Sequence, residues 1–247
     1  SNNYERVFII HGFGRINKNG EMKTIIITGA SRGIGLATAQ KFLSEGWRVV
    51  GTYLNTPIPI KDKNLTVVKY DQGDSKSIAQ AVAQIKEIAH QVDALINNAG
   101  VLLDAKDNFT DPVKVRQTLE VNVVGVIDLT EQLLPLLCKG GHVVNLNSGY
   151  GSISAPILDD ETAIGYRISK AALNMYTRHL AFRLESEGIV VSALAPGWVK
   201  TDMGNMVATE TEGPDRTPEQ AADDIFTLVT TIKETGQFWR LGKKTEW

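Results

Sequence analysis

Short apolar runs rich in isoleucine and valine alternate along this chain with longer stretches whose apolar residues recur at helical spacing. Uninterrupted apolar runs suit strands buried on both faces, whereas recurrence every third or fourth residue marks helices that bury one side. The pattern predicts strands at Lys23–Thr28, Trp47–Tyr53, Leu65–Tyr70, Asp93–Asn97, His142–Leu146, Ile189–Leu194 and Gln237–Leu241. Between them it predicts helices at Gly33–Glu45, Ser75–His90, Pro112–Leu137, Gly165–Glu187 and Pro218–Glu234. Gly46 and Gly188 stand just past helix ends, Ser75 reads as a cap, and Pro112 sits in a first turn, where its missing N–H is not needed.

This alternation places the chain in the α/β class, as one doubly wound parallel sheet of about seven strands with helices on both faces. Ligands are then expected beyond the carboxyl ends of the strands. No repeat, low-complexity tract or linker divides residues 22–247, so they are expected to form one domain. Residues 1–21 precede Met22-Lys23-Thr24, which reads like a natural start, and are expected to be a leader or arm outside the core. Their apolar run, Val7-Phe8-Ile9-Ile10, is too short for a signal peptide.

Composition excludes several functions. A net charge of −2 gives no electrostatic case for nucleic acid or an anionic membrane. No apolar run approaches the roughly 18–20 residues that span a bilayer. A single cysteine, Cys138, forms no internal disulfide and suits a reducing, cytoplasmic compartment. Four scattered histidines provide neither metal-ligand spacing nor a hydrolase pairing motif, and no G-x-S-x-G elbow occurs, so no metal and no serine hydrolase is expected.

Two local patterns carry chemistry. Ile25-Ile26-Ile27 runs into Thr28-Gly29-Ala30-Ser31-Arg32-Gly33-Ile34-Gly35, after which a helix begins. Glycines there permit a tight turn and close approach of backbone to phosphate, and the helix start presents free N–H groups to an anion. The second pattern is Tyr166 and Lys170, one helical turn apart and so stacked on one face. A free phenol has a pKa near ~10, and an adjacent ammonium is expected to favour its ionised form.

The sequence resembles the short-chain dehydrogenase/reductase family over nearly all of Lys23 to Trp247. Its marks stand in order: the glycine loop, Asn97-Asn98-Ala99-Gly100, Val121-Asn122-Val123-Val124-Gly125, Ser148, Tyr166-Arg167-Ile168-Ser169-Lys170, and Pro196-Gly197-Trp198-Val199-Lys200-Thr201. That resemblance implies a Rossmann sheet that binds a nicotinamide dinucleotide. Gly29, Ser31, Arg32, Gly33, Ile34 and Gly35 would hold its phosphates, and Asp71 its adenine. Asn98, Ala99 and Gly100 would lie along a ribose, and Pro196, Gly197, Val199 and Thr201 would hold the nicotinamide end.

The resemblance also implies that Tyr166 is the general acid/base, that Lys170 binds the nicotinamide ribose, that Ser148 holds the substrate oxygen, and that Asn122 holds a water linking Lys170 to solvent. The activity implied is hydride transfer between nicotinamide and a carbonyl or alcohol carbon; the alternative is a dinucleotide-binding redox sensor or signalling protein with little turnover. No acidic residue closes Val50-Gly51-Thr52-Tyr53-Leu54-Asn55, and Arg32 is placed to meet a 2′-phosphate, so NADP(H) is favoured over NAD(H). A long loop at Ser152–Thr162, with Asp159-Asp160-Glu161, and the Thr201-Asp202-Met203-Gly204 run are similar to the carbonyl reductase-like, C-factor-type branch; Arg240, Leu241 and Thr245 replace that branch's usual acidic and proline positions. Leu102, Leu103, Tyr150 and Met203, with Ser148, are expected to face a small-molecule carbonyl or alcohol substrate. Residues 202–217 are expected to be a lid. The two long helices, 112–137 and 165–187, imply a homodimer or homotetramer.

Overall fold

The computed structural model describes residue 16, residues 20–154 and residues 161–247. Eight strands form one sheet: β1 (Thr24–Ile27), β2 (Arg48–Tyr53), β3 (Leu65–Lys69), β4 (Val92–Asn97), β5 (Leu137–Leu146), β6 (Val190–Ala195), β7 (Gln237–Arg240) and β8 (Lys243–Thr245). Their order across the sheet is β3-β2-β1-β4-β5-β6-β7-β8. Among the described strands β1 to β7 run parallel and β8 pairs antiparallel with β7, Trp239 opposite Lys244. The helices are α1 (Gly33–Ser44), α2 (Ser75–Ile88), α3 (Pro112–Leu119), α4 (Gly125–Leu133), α5 (Ile164–Leu184), α6 (Asp202–Met206) and α7 (Pro218–Thr231).

Because successive side chains of a strand point to opposite faces, the isoleucines of β1 divide between two cores. Ile26 packs with Val143, Val191 and the inner faces of α2, α4 and α5; Ile25 and Ile27 pack with Val144, Leu194, α1 and α7. Both faces are therefore dry, which is why the strands read as unbroken apolar runs. Strand order reverses beside β1, which pairs with β2 on one side and β4 on the other. The loops after β1 and β4 consequently diverge and leave a crevice at the carboxyl edge.

Three expectations about local structure need correction. Ser75 is the first residue of α2 rather than its cap; the Asp74 carboxylate accepts the Lys76 N–H at 2.9 Å. The expected helix 112–137 is broken into α3, a wide π turn at Glu120–Val124, α4 and a 3₁₀ turn at Leu134–Leu136. At that break Gly125 lies so close to the Gln72 carbonyl that a Cβ would overlap it, a tertiary constraint that periodicity does not register. β5 begins at Leu137, where a helix end was expected; the sheet of about seven strands is borne out, with the hairpin partner β8 as an eighth. The expected lid contains the short helix α6. Apart from Ile16, which bridges to Met22, and residues 20 and 21, the expected leader lies outside the described residues, as does most of the long loop, including Asp159 and Asp160.

Gly125→Ala is expected to destabilise the fold by about 1–3 kcal/mol through overpacking against Gln72. Urea denaturation checks this, and a variant as stable as the parent would show that the close approach is not required.

Candidate active site

The carboxyl ends of β1, β2 and β4, and the turn after β3, are joined by the expected Asn98 and by Thr28, Thr52 and Gln72, whose roles the sequence reading missed. Thr28 Oγ1 accepts the N–H groups of Asn98 (3.0 Å) and Ala99 (2.9 Å), and Asn98 Nδ2 donates to the Thr28 carbonyl (2.8 Å) and the Gly29 carbonyl (3.2 Å). Thr52 Oγ1 accepts the Gly29 N–H at 3.1 Å. Gln72 Nε2 donates to the carbonyls of Ala99 (3.0 Å) and Val121 (2.7 Å). These bonds hold the glycine loop and the Asn98–Gly100 segment on either side of the crevice.

Gly29 (φ +68°) and Gly33 (φ +53°) occupy the left-handed region, so glycine is needed there. Gly35 serves differently from the expectation. A Cβ there would strike the Gly29 carbonyl and the Asn98 amide, and Gly35 does not line the crevice; its part is close packing beneath the loop. α1 starts at Gly33 without any side-chain cap from Arg32. Its first N–H groups are thus not satisfied by a capping side chain, which fits an anion at that end.

The crevice encloses about 1100 Å³. Gly29, Ser31, Arg32, Gly33 and Ile34 form one wall, with Asp71, Tyr53 and Leu54 at the end farthest along the sheet. Asn98, Ala99 and Gly100 face them, and Pro196, Gly197, Val199 and Thr201 line the opposite side. Leu102, Ser148, Tyr150, Tyr166, Lys170 and Met203 complete the other end. There Tyr150, Tyr166, Met203 and Val207 pack on buried Leu102, Ala105 and Ala163, an apolar pocket around the phenol. Leu103 is 38% exposed and does not line the crevice, correcting its expected substrate contact.

α5 brings Tyr166 and Lys170 to this end. Its start is fixed by Asp104, another residue missed from sequence, whose carboxylate accepts the Gly165 N–H at 2.5 Å and whose carbonyl accepts the Ala163 N–H at 3.1 Å. Lys170 is 6% exposed; its Nζ lies 5.4 Å from the centre of the Tyr166 ring and donates to the Leu146 carbonyl at 2.8 Å. Burial pushes the Lys170 ammonium down to about 8. Burial also pushes the Tyr166 phenol up to about 12, with hydrogen bonding to Ser148 acting in the opposite direction. The expectation that Lys170 makes Tyr166 acidic is therefore corrected: desolvation is the larger effect, and the phenol keeps its proton at neutral pH.

Ser148 caps a 3₁₀ turn, its Oγ accepting the Tyr150 N–H at 3.2 Å. That turn presses on α5 so closely that a Cβ on Gly151 would fall 2.6 Å from the Lys170 backbone. Asn147 Nδ2 reinforces the contact by donating to the Lys170 carbonyl (3.1 Å) and to Asn174 Oδ1 (2.6 Å). Asn122 lies in the π turn and does not line the crevice. Its Oδ1 accepts the Val101 N–H (2.8 Å), and its Nδ2 donates to the Val101 carbonyl (2.9 Å) and Ser169 Oγ (3.1 Å). The Asn122 side chain ties the segment after β4 to α5.

A family model for short chain dehydrogenase matches residues 23–212. The chain belongs to that family. Among curated relatives, the oxidoreductase UcpA of Salmonella typhimurium is 33% identical over 218 residues, covering 84% of this chain and 80% of its own. Serine 3-dehydrogenase of Rhizobium radiobacter is 32% identical over 216 residues, 85% of this chain and 82% of its own. Among solved structures, the NADPH-bound carbonyl reductase from chicken fatty liver superposes with a TM-score of 0.81 at 28% identity, covering 91% of this chain and 94% of that one. Carbonyl reductase Sniffer of D. melanogaster gives a TM-score of 0.80 at 26% identity, over 92% of this chain and 100% of that one. Among the described residues no helix is long and apolar enough to cross a membrane, and no group of three or more His, Cys, Asp or Glu is placed to hold a metal.

The low pKa of Lys170 sets a sign for stability. Below about 8 the ammonium is charged in both folded and unfolded chains, and the folded state bears the cost of burying it. As pH rises from there toward the ordinary lysine value of 10.5 the folded chain sheds the proton first, and the cost fades. Lys170→Met is accordingly expected to raise the melting temperature by about 5 °C at pH 7, with the gain shrinking by pH 10. Calorimetry across that range tests it; a gain that does not vary with pH would refute a buried charge as its source.

Proposed function

We propose that this protein is an NADP(H)-favouring oxidoreductase that reduces small, largely apolar aldehydes or ketones, or runs the reverse oxidation, with Tyr166 as the proton donor and acceptor. One observation carries the reading: a protonated, half-buried phenol, with Ser148 and Lys170 beside it, faces one end of the crevice whose other wall is the glycine loop. A dinucleotide bound along that crevice would supply or accept the hydride.

The residues of this chain then have separable tasks. The Tyr166 hydroxyl donates its proton to the substrate oxygen as negative charge develops there, and takes it back in the oxidising direction. The Ser148 hydroxyl orients that same oxygen. Lys170 holds positive charge beneath the phenol, which lowers the cost of the phenolate left after donation. Leu102, Tyr150, Met203 and Val207 exclude water around the reacting atoms. The apolar side chains of this wall support neutral carbonyl compounds as the class. The related chicken enzyme is described as a carbonyl reductase bound to NADPH, in keeping with this choice of substrate and cofactor. The absence of a carboxylate at the end of β2, where Tyr53 and Leu54 line the crevice, supports NADP(H) over NAD(H).

Tyr166→Phe is expected to lower kcat for carbonyl reduction by about 10²–10⁴-fold while leaving the dissociation constant of NADPH within threefold, about 0.7 kcal/mol. Stopped-flow turnover and fluorescence titration measure the two quantities, and near-normal turnover would overturn the assignment. We also propose that the protein forms a homodimer through α5, on which Ile168 (44% exposed), Met175 (68%) and Phe182 (78%) recur every two turns along one face. The double variant Met175→Asp, Phe182→Asp is expected to run as a monomer in light scattering; an unchanged particle mass would place the interface elsewhere.

A further inference from the structure

The most consequential charged contact in the crevice joins two segments far apart in the chain. Arg32 Nη1 meets Asp202 Oδ2 at 2.8 Å, with both side chains about three-quarters exposed, at 78% and 75%. Arg32 is the residue just before α1, and Asp202 is the first residue of α6. The contact is not a chance meeting of mobile ends. Thr201, which caps α6 by accepting the Gly204 N–H at 3.0 Å, packs directly on the glycine loop, its Cγ2 3.1 Å from where a Gly33 Cβ would stand. Behind it the base of this segment is closed by Lys200 N–H to the Arg216 carbonyl (2.8 Å) and Arg216 N–H to the Trp198 carbonyl (3.1 Å). The Asp202 carboxylate is thus presented to Arg32 from a structured support.

We infer that Asp202 is a specificity-determining residue that competes with the cofactor's 2′-phosphate for the Arg32 guanidinium. This rests on the NADP(H) reading above. A phosphate and a carboxylate seek the same planar fork of donors, so the guanidinium cannot give its full bidentate geometry to both. An ion pair this exposed is weak, so a phosphate can displace the carboxylate. Displacement leaves Asp202 unpaired beside the incoming anion, and the two like charges repel. Asp202 therefore lowers affinity for phosphorylated cofactor while scarcely affecting one without that phosphate. It narrows the gap between NADP(H) and NAD(H), so the chain accepts both more evenly than Arg32 alone would allow.

Isothermal titration calorimetry of the intact protein with NADP⁺, NAD⁺ and adenosine 2′,5′-bisphosphate tests this without turnover. Asp202→Asn is expected to tighten NADP⁺ and adenosine 2′,5′-bisphosphate by about three- to tenfold and to change NAD⁺ by less than twofold. Asp202→Glu, which keeps the charge, is expected to restore the parent affinity, and unchanged melting temperatures would show that α6 remains in place. In an Arg32→Ala background, where both phosphorylated ligands should bind more weakly, Asp202→Asn is expected to keep only the smaller gain that relief of like-charge repulsion gives, below twofold. If Arg32→Ala weakens NADP⁺ but Asp202→Asn leaves it unchanged, the competition is refuted while the cofactor reading stands. If Arg32→Ala changes no affinity, the reading that Arg32 meets the phosphate falls and the inference falls with it. Equal tightening of NAD⁺ and NADP⁺ by Asp202→Asn would overturn the inference by showing a general effect on the crevice.

Discussion

An ammonium taken out of water loses several kcal/mol of hydration unless other groups replace it, and the active end of this fold is arranged around one that is 6% exposed. Lys170 reaches the interior because the first turns of α5 lie by the end of β5, where the Leu146 carbonyl accepts from it. Holding it there requires α5 to be fixed along its length. Asp104 fixes its start, Asn147 and Asn174 its middle, and a buried chain of amide and hydroxyl groups fixes the remainder: Asn97 donates to Thr130 and Asn145, and Asn145 donates to Thr177. This chain runs continuously from β4 to α5, although the buried Asn97 Oδ1 finds no partner within it.

The same burial explains why Tyr166 stays protonated. Sequence spacing says that a phenol and an ammonium share a helix face, but it does not say how much water either retains. With both groups desolvated, each is pushed toward its neutral form, the tyrosine upward and the lysine downward. Desolvation is the leading cause for both groups. For a group that gives a proton to a developing oxyanion, that balance leaves the acid in the form the reaction consumes.

Features encoded within a few residues were legible from the chain alone. Gly29 and Gly33, the Tyr166–Lys170 pair and the unbroken apolar strands each follow from local stereochemistry or periodicity. Thr28, Thr52, Gln72, Asp104 and Asn147 were not legible, because each acts on a partner brought near only by the sheet: Thr28 on the segment after β4, Gln72 on the π turn, Asp104 on the start of α5. Gly35 was misassigned for the same reason, since its neighbour Asn98 lies in a different loop. Leu103 shows the opposite error: residues adjacent in a loop were expected to share an environment, although only Leu102 turns inward. β8 carries no apolar run, being Lys243-Lys244-Thr245, and so left no hydrophobic signature to read.

The wide turn at Glu120–Val124 also bears on how the chain tolerates change in length. An α-helix advances by about 100° per residue, and a π turn accommodates one residue more than regular geometry allows. Removing any single residue there would let α3 and α4 fuse into one straight rod and would swing everything on one side by about a quarter turn relative to the other. Asn122 would leave Val101, and Gly125 would rotate away from Gln72, bringing a bulkier neighbour against that carbonyl. The segment is therefore intolerant of losing one residue, so that its length is constrained as well as the identity of Asn122.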